Sequence, residues 1–208
     1  MNKALLKRTV LIAAVLLVLA FIAVVVMQVQ GKRQTLERLP VNTKMGGNFV
    51  LPSTLGRPLE LASLKGKVVL LNFGFTSCPD VCPLVLARLR QVLRELGPDA
   101  ANTRVVFVSF DPARDTVPVL AAYVRHFHPD MIGATGTDAE IAAVAAQYGV
   151  VYLKESGDSA AGYNFAHSDY IYLLDGQGRV RKLYANDAKT TEMAADVQLL
   201  LKADAIPF

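Results

Sequence analysis

Residues Val68 to Pro83 read V-V-L-L-N-F-G-F-T-S-C-P-D-V-C-P. The continuous apolar run Val68 to Phe73, entered from the turn Lys65-Gly66-Lys67, predicts a strand buried on both faces. A helix follows: Val81, Val85, Leu89, Val92 and Leu96 recur at three and four, Arg88, Arg90 and Arg94 take other faces, and Gly97-Pro98 ends the pattern. Pro79 and Pro83 fall where a first helical turn tolerates them. Between strand and helix stand Cys78 and Cys82, the 2 cysteines of the chain. Residues four apart on a helix project from one face about a turn apart, so both sulfurs can reach one metal ion or each other. The chemistry is thereby restricted to thiolate ligation or dithiol/disulfide exchange.

Outward from this stretch, strands and helices alternate. Asn48 to Leu51 and Leu59 to Leu61 flank a turn containing Gly56 and predict a short hairpin. Thr103 to Phe110 predicts a second buried strand, and D-P-A-R-D-T at Asp111 to Thr116 leads into a helix from about Val117 to His126, with Asp115 or Thr116 as its cap. Thr137-x-x-Glu140 has the form of a capping box for a helix ending at Tyr148, stopped by Gly149. Val150 to Leu153 predicts a strand, and Glu155 to Asn164 a loop. Tyr170 to Leu174, the turn Asp175-Gly176-Gln177-Gly178 and Val180 to Tyr184 predict a hairpin before a last helix from about Thr191 to Lys202. This order describes an α/β sandwich of the thioredoxin type.

The N-terminal part differs in kind. From Thr9 to Gly31 no residue is charged, and a helix of that length, at about 1.5 Å per residue, spans a bilayer core of about 30 Å. The expected organisation is a cytoplasmic N-terminus over 1–9, a single transmembrane anchor over 10–30, a polar linker over 31–45 and the thioredoxin-like domain over 46–208. A cleaved signal fits less well, because the apolar run exceeds the about 7 to 15 residues of an h-region and the best small-residue site, Val18-Leu19-Ala20, lies inside it. A buried core helix would need polar punctuation that the segment lacks. With no cysteine near the anchor, lipid attachment is not available. Basic residues on both flanks leave the positive-inside bias small. The short head and long tail favour a domain facing the periplasm of a bacterial inner membrane, a compartment that permits the cysteines to oxidise.

The formal net charge of +4 divides unevenly. Up to Met45 there are 7 basic residues and 1 acidic; from Gly46 onward 15 basic residues face 17 acidic ones. The basicity thus belongs to the membrane flanks, and the soluble part lacks the clustered Lys and Arg of a nucleic-acid footprint. Roughly 160 residues remain for that part, enough for one domain with a substantial core.

G-F-T-S-C-P-D-V-C-P at Gly74 to Pro83, D-P-A-R-D-T at Asp111 to Thr116 and A-H-S-D-Y-I-Y-L-L-D at Ala166 to Asp175 resemble, in order, the three signature blocks of the Sco (SenC) family of membrane-anchored copper proteins. The resemblance implies a thioredoxin-like domain that binds one copper ion through Cys78, Cys82 and His167. It also implies a role in maturing the binuclear copper site of cytochrome c oxidase, with the subunit bearing that site as partner and an upstream copper donor. Many members carry His where this chain has Ser77, which alters the cysteine environment without removing a ligand. The chemistry agrees: thiolates favour Cu(I), an added imidazole allows Cu(II), and structural zinc usually takes four protein ligands. A position near a helix N-terminus favours the thiolate at both cysteines.

Other readings of the same residues are open. The pair can be a plain structural disulfide in an inert interaction domain, although so short a loop would stabilise little. A thiol-disulfide oxidoreductase that reduces the oxidase subunit's cysteines before metal insertion needs the same accessible thiols. Against it stand the C-x-x-x-C spacing and the lack of a proline between His167 and Asp175, where thioredoxin-like reductases carry one. Neither cysteine has the context of a peroxidase. His126 and His128 are read as a helix end meeting its dipole, and His167 by position alone could hydrogen-bond a backbone carbonyl. Asp80 is either a turn residue or an electrostatic tuner of the site. Asp111, Arg114 and Asp115 are read as an internal salt bridge and helix cap, and the methionines form no metal-binding stretch.

Overall fold

The computed structural model describes residues 3–156 and 162–204 and divides into two units, one up to Arg38 and one from Leu39 onward. The first is a single helix, α1, Lys3–Arg38. Within it Lys7–Gly31, 25 residues with a mean hydropathy of 3.4, is long and apolar enough to cross a membrane, and none of it is buried. Segment 31–45 is therefore divided: it is helical to Arg38, whereas Leu39 is buried in the second unit and Asn42 N–H donates to Val180 O at 2.8 Å.

The second unit is built on the strand β3, Val68–Gly74, whose seven residues are all buried. The short hairpin β1 (Val50–Leu51) and β2 (Leu59–Glu60) precedes it. β4 (Thr103–Ser109) lies parallel to β3, and β5 (Ile132–Ala134) parallel to β4. On the other side β8 (Ile171–Leu174) and β9 (Val180–Tyr184) are antiparallel, which gives the order β5-β4-β3-β8-β9. Strand β5 was not expected. Three residues with a central glycine carry too little alternation to announce a strand, yet Gly133 lets helix α3 (Val117–Phe127) approach: a Cβ there would stand 3.1 Å from Leu120 Cβ.

Side chains alternate across β3, so its two faces take different helices. On the face of Gly74 lies α2 (Val81–Leu96), which packs against α3 and against α5 (Thr190–Asp204). On the face of Phe73 the ring of Tyr148, from α4 (Asp138–Tyr148), sits 5.7 Å from Phe73 and 6.1 Å from Phe49, its hydroxyl donating to Gly47 O at 2.8 Å. The capping box is formed, with Thr137 N–H donating to Glu140 Oε2 at 2.7 Å and Glu140 N–H to Thr137 Oγ1 at 3.3 Å. Gly149 ends α4 in the left-handed region, at φ 64°. Helices on both faces of a mixed sheet, α2, α3 and α5 on one and α4 on the other, make this a thioredoxin-like α/β fold.

Two expectations need correction. Val150 to Leu153 and the loop from Glu155 to Asn164 are instead a hairpin of its own, β6 (Tyr152–Ser156) paired with β7 (Tyr163–His167); 157–161 lie outside the described residues. The period-two signal was present, since Tyr163, Phe165 and His167 are half-buried while Asn164 and Ala166 are exposed, but the Gly/Ser-rich surroundings hid it. Neither side-chain cap on α3 exists either: Thr116 holds the N-cap position without a side-chain bond, and Asp115 is drawn inward.

Candidate metal centre

Strand β3 ends at Gly74, and the chain then bends through Phe75 to Asp80 before α2 begins. The two cysteines are accordingly not on one helix. Cys78 precedes α2 and Cys82 lies in its first turn, so the Cys78 sulfur stands at the helix N-terminus, where it accepts from Cys82 N–H at 3.5 Å. Asp80 occupies the N-cap position without capping through its side chain. Cys82 Sγ points back at the end of β3, and only glycine fits there: a Cβ on Gly74 would lie 2.6 Å from that sulfur and 2.8 Å from Phe107 Cε2.

The third group arrives from the last residue of β7. His167 Nε2 is 3.9 Å from Cys82 Sγ, and the ligand atoms of Cys78, Cys82 and His167 all lie within 4.8 Å of one another. His167 Nδ1 is 2.9 Å from Ser168 O. A carbonyl can only accept, so Nδ1 carries a hydrogen and Nε2 is the nitrogen turned towards the sulfurs. Ligand bonds of about 2.0 to 2.3 Å spread in a trigonal plane separate their ends by about 3.8 Å. The observed spacing fits a shared soft ion with little movement.

Electrostatics distinguish the two thiols. Cys78 is half-buried and held down to about 3, first by its hydrogen bond with the Cys82 thiol and then by His167 and the N–H groups of Cys82 and Asp80, against the effect of burial. Cys82 is pushed far above its ordinary value by that same shared hydrogen with Cys78, by burial and by the negative charges of Cys78 and Asp115. The hydrogen shared between the two sulfurs thus lowers Cys78 and raises Cys82, a correction to the expectation of a thiolate at both. Burial pulls His167 down, but the Cys78 thiolate, the Ser168 carbonyl and the charge of Asp169 outweigh it and leave the imidazole above its ordinary value.

Around the trio lies an aromatic wall that the sequence did not announce. The His167 ring is 5.0 Å from Phe110 and 5.9 Å from Phe75; Phe165 packs on both, and Tyr152 stacks on Phe110 at 4.9 Å. Of the three ligand residues Cys82 is buried, whereas Cys78 and His167 are half-buried. Asp115, fully buried, accepts from Thr76 N–H at 2.8 Å, Thr76 Oγ1 at 2.5 Å and Ser109 Oγ at 2.5 Å, and so ties down the cysteine loop. Arg114 does pair with Asp111, as read from the sequence. Ser77 is exposed, and His126 and His128 lie at the end of α3, outside this cluster.

A thioredoxin-like domain that brings two cysteine sulfurs and an imidazole nitrogen to one point is a domain built to hold a soft metal or to exchange disulfides. Comparison with known proteins narrows the class. The SCO1/SenC family model matches residues 37–202, and the chain belongs to that family. It is 37% identical over 153 residues to a SCO2-like protein of Rickettsia felis, covering 73% of this chain and 75% of that one. ScoI of Bradyrhizobium japonicum, solved with copper bound, matches with a TM-score of 0.69 at 38% identity over 75% of this chain and 99% of its own. Arabidopsis thaliana ScoI, also with copper bound, gives 0.69 at 34% identity over 74% and 97%.

Proposed function

We propose that this protein is a membrane-anchored copper carrier, that Cys78, Cys82 and His167 bind its cargo, and that it delivers the ion to the binuclear copper site of cytochrome c oxidase. The observation that carries the reading is the 3.9 Å approach of His167 Nε2 to Cys82 Sγ with Nδ1 already engaged by Ser168 O. Two sulfurs suit Cu(I) and the imidazole extends the set to Cu(II). The copper-bound relatives support the choice of metal.

In this reading Cys78, accessible and already a thiolate, meets the ion first. Cys82 gives up its proton on ligation, and His167 closes the set from the aromatic side. Transfer to the oxidase subunit runs in reverse through shared ligands, with Cys78 the last to release because it faces solvent. The 25-residue apolar helix supplies the anchor, 31–45 the connection and 46–208 the copper-binding domain. The domain then faces the periplasm, where an upstream donor loads it.

The reductase alternative has the same thiols, but disulfide exchange has no use for a third ligand atom, and His167 brings one to within 4.8 Å of both sulfurs. Copper titration of the reduced protein separates the two readings. One copper per chain, lost in the Cys78→Ser/Cys82→Ser double variant, supports the carrier; no copper uptake together with turnover of a model disulfide refutes it.

A further inference from the structure

The hairpin carrying His167 is a two-stranded sheet paired with no other strand among the described residues. No strand of the main sheet pairs with it; the three residues 168–170 tie its histidine end to β8, and the rest of its position over the cysteine loop depends on side chains. At the histidine end Asn186 bonds Asp169, and Phe165 and Tyr152 lean on Phe110. The other end, at Tyr163, is gripped harder.

Tyr163 is bound in three ways by one turn of chain, 111–116. Its hydroxyl donates to Asp111 Oδ1 at 2.7 Å, its carbonyl accepts from Arg114 Nη1 at 3.0 Å, and the Arg114 guanidinium lies 3.8 Å from its ring centroid. Arg114 is in turn fixed by its pair with the buried Asp111, and Ser109 Oγ accepts from Asp111 N–H at 3.1 Å. At its other end the same turn holds the cysteine loop through Asp115 and Thr76. One six-residue segment is thus bonded to both halves of the site while touching neither sulfur nor imidazole.

We infer that Arg114, with Asp111, is a positioning residue for His167: by clamping Tyr163 it sets the height of the hairpin above the cysteine loop and keeps Nε2 within reach of the sulfurs. Tyr163 and His167 are four residues apart on one strand, about 13 Å, so a release at Tyr163 tilts the imidazole away. The inference rests on the reading of the trio as copper ligands.

The test uses the full chain in detergent, with Arg114→Ala and Tyr163→Phe compared with His167→Ala. Arg114→Ala is expected to keep one Cu(I) per chain through the cysteines. It should bind Cu(II) about 10-fold more weakly and lose the histidine nitrogen hyperfine coupling in the Cu(II) EPR spectrum, as His167→Ala does. In the metal-free protein its amides at 163–167 should exchange faster. Tyr163→Phe, which keeps the ring and the carbonyl, should shift both readouts in the same direction by less. Wild-type coupling, Cu(II) affinity and amide exchange in Arg114→Ala would overturn the inference. If that variant does not fold, unchanged values in Tyr163→Phe overturn it. Wild-type protein that takes up no copper would sink the copper reading instead, and the metal-free exchange would still decide the clamp.

Discussion

The carboxylate of Asp115 takes two hydrogen bonds from Thr76, one from its backbone N–H at 2.8 Å and one from its hydroxyl at 2.5 Å, across 39 residues of sequence. Thr76 lies two residues before Cys78, so the carboxylate fixes the loop that presents this half-buried cysteine. Removing the carboxylate takes the partner from the half-buried hydroxyl and N–H of Thr76 and from the buried hydroxyl of Ser109. Asp115→Ala is expected to lose about 3 kcal/mol of stability, measured by urea unfolding, and to broaden the NMR signals of residues 75–78. Unfolding at the wild-type midpoint would show that the carboxylate is not a structural anchor.

Gly74→Ala places a methyl group 2.6 Å from Cys82 Sγ and 2.8 Å from the Phe107 ring, neither of which can retreat from a packed core. An overpacking cost of about 1 to 3 kcal/mol follows, together with weaker Cu(I) binding because the sulfur is the atom displaced. Competition with a Cu(I) chelator measures the second effect. Unaltered affinity would mean that the backbone relaxes at no cost to the sulfur.

Copper uptake should release protons. Cys82 is held as a thiol at neutral pH by Cys78 and by burial, and a metal binds only the thiolate. Affinity for Cu(I) is therefore expected to rise with pH between about 6 and 8, and titration in weakly buffered solution should register about one proton per ion from Cys82, beside the share from His167, which is held above its ordinary value. The Cys82→Ser variant should lose most of this release; a pH-independent affinity in the wild type would contradict the assignment of the protonated thiol.

At the far end of the domain, Asp175 sets acid stability. It accepts from Gln177 N–H and Arg179 N–H at 3.0 Å each and from Arg181 Nη1 at 3.0 Å, while Arg181 Nε donates to Leu39 O at 2.6 Å. Burial works to raise this carboxyl, but the bonds from Arg179 and Arg181 outweigh it and hold Asp175 below its ordinary 3.8. A group lowered in the folded state contributes stability that is complete above its unfolded value and lost as pH falls through the folded one. Asp175→Asn should therefore cost about 3 kcal/mol at pH 7, because it leaves Arg181 buried without its charge partner. The difference from wild type should shrink below about pH 4; thermal unfolding across pH 2 to 7 checks both.

The buried strand Val68 to Phe73, the helix period from Val81 to Leu96 and the capping box at Thr137 were legible because each is a local pattern with a local cause. The cysteine pair was legible from spacing, and His167 from its resemblance to a known block. The hairpin that carries His167 was not, because alternation over five residues beside a Gly/Ser-rich run is too weak a signal when the partner strand is unknown. Nor were the roles of Asp111, Arg114 and Asp115 separable: a D-P-A-R-D-T turn before a helix reads as caps and ion pairs until the tertiary partners, Thr76 and Tyr163, are in place.

By itself the sequence determined the alternation of strands and helices, the apolar N-terminal helix and the residue types able to bind a soft ion, all properties of neighbours along the chain. Only the tertiary structure decided that Cys78 is the thiolate and Cys82 the thiol, that Gly74 makes room for a sulfur, and that Nε2 rather than Nδ1 faces the pair. Those facts depend on distances between residues up to 89 positions apart, Cys78 and His167, and such distances are set by how the sheet, helices and hairpin pack rather than by any stretch of sequence read alone.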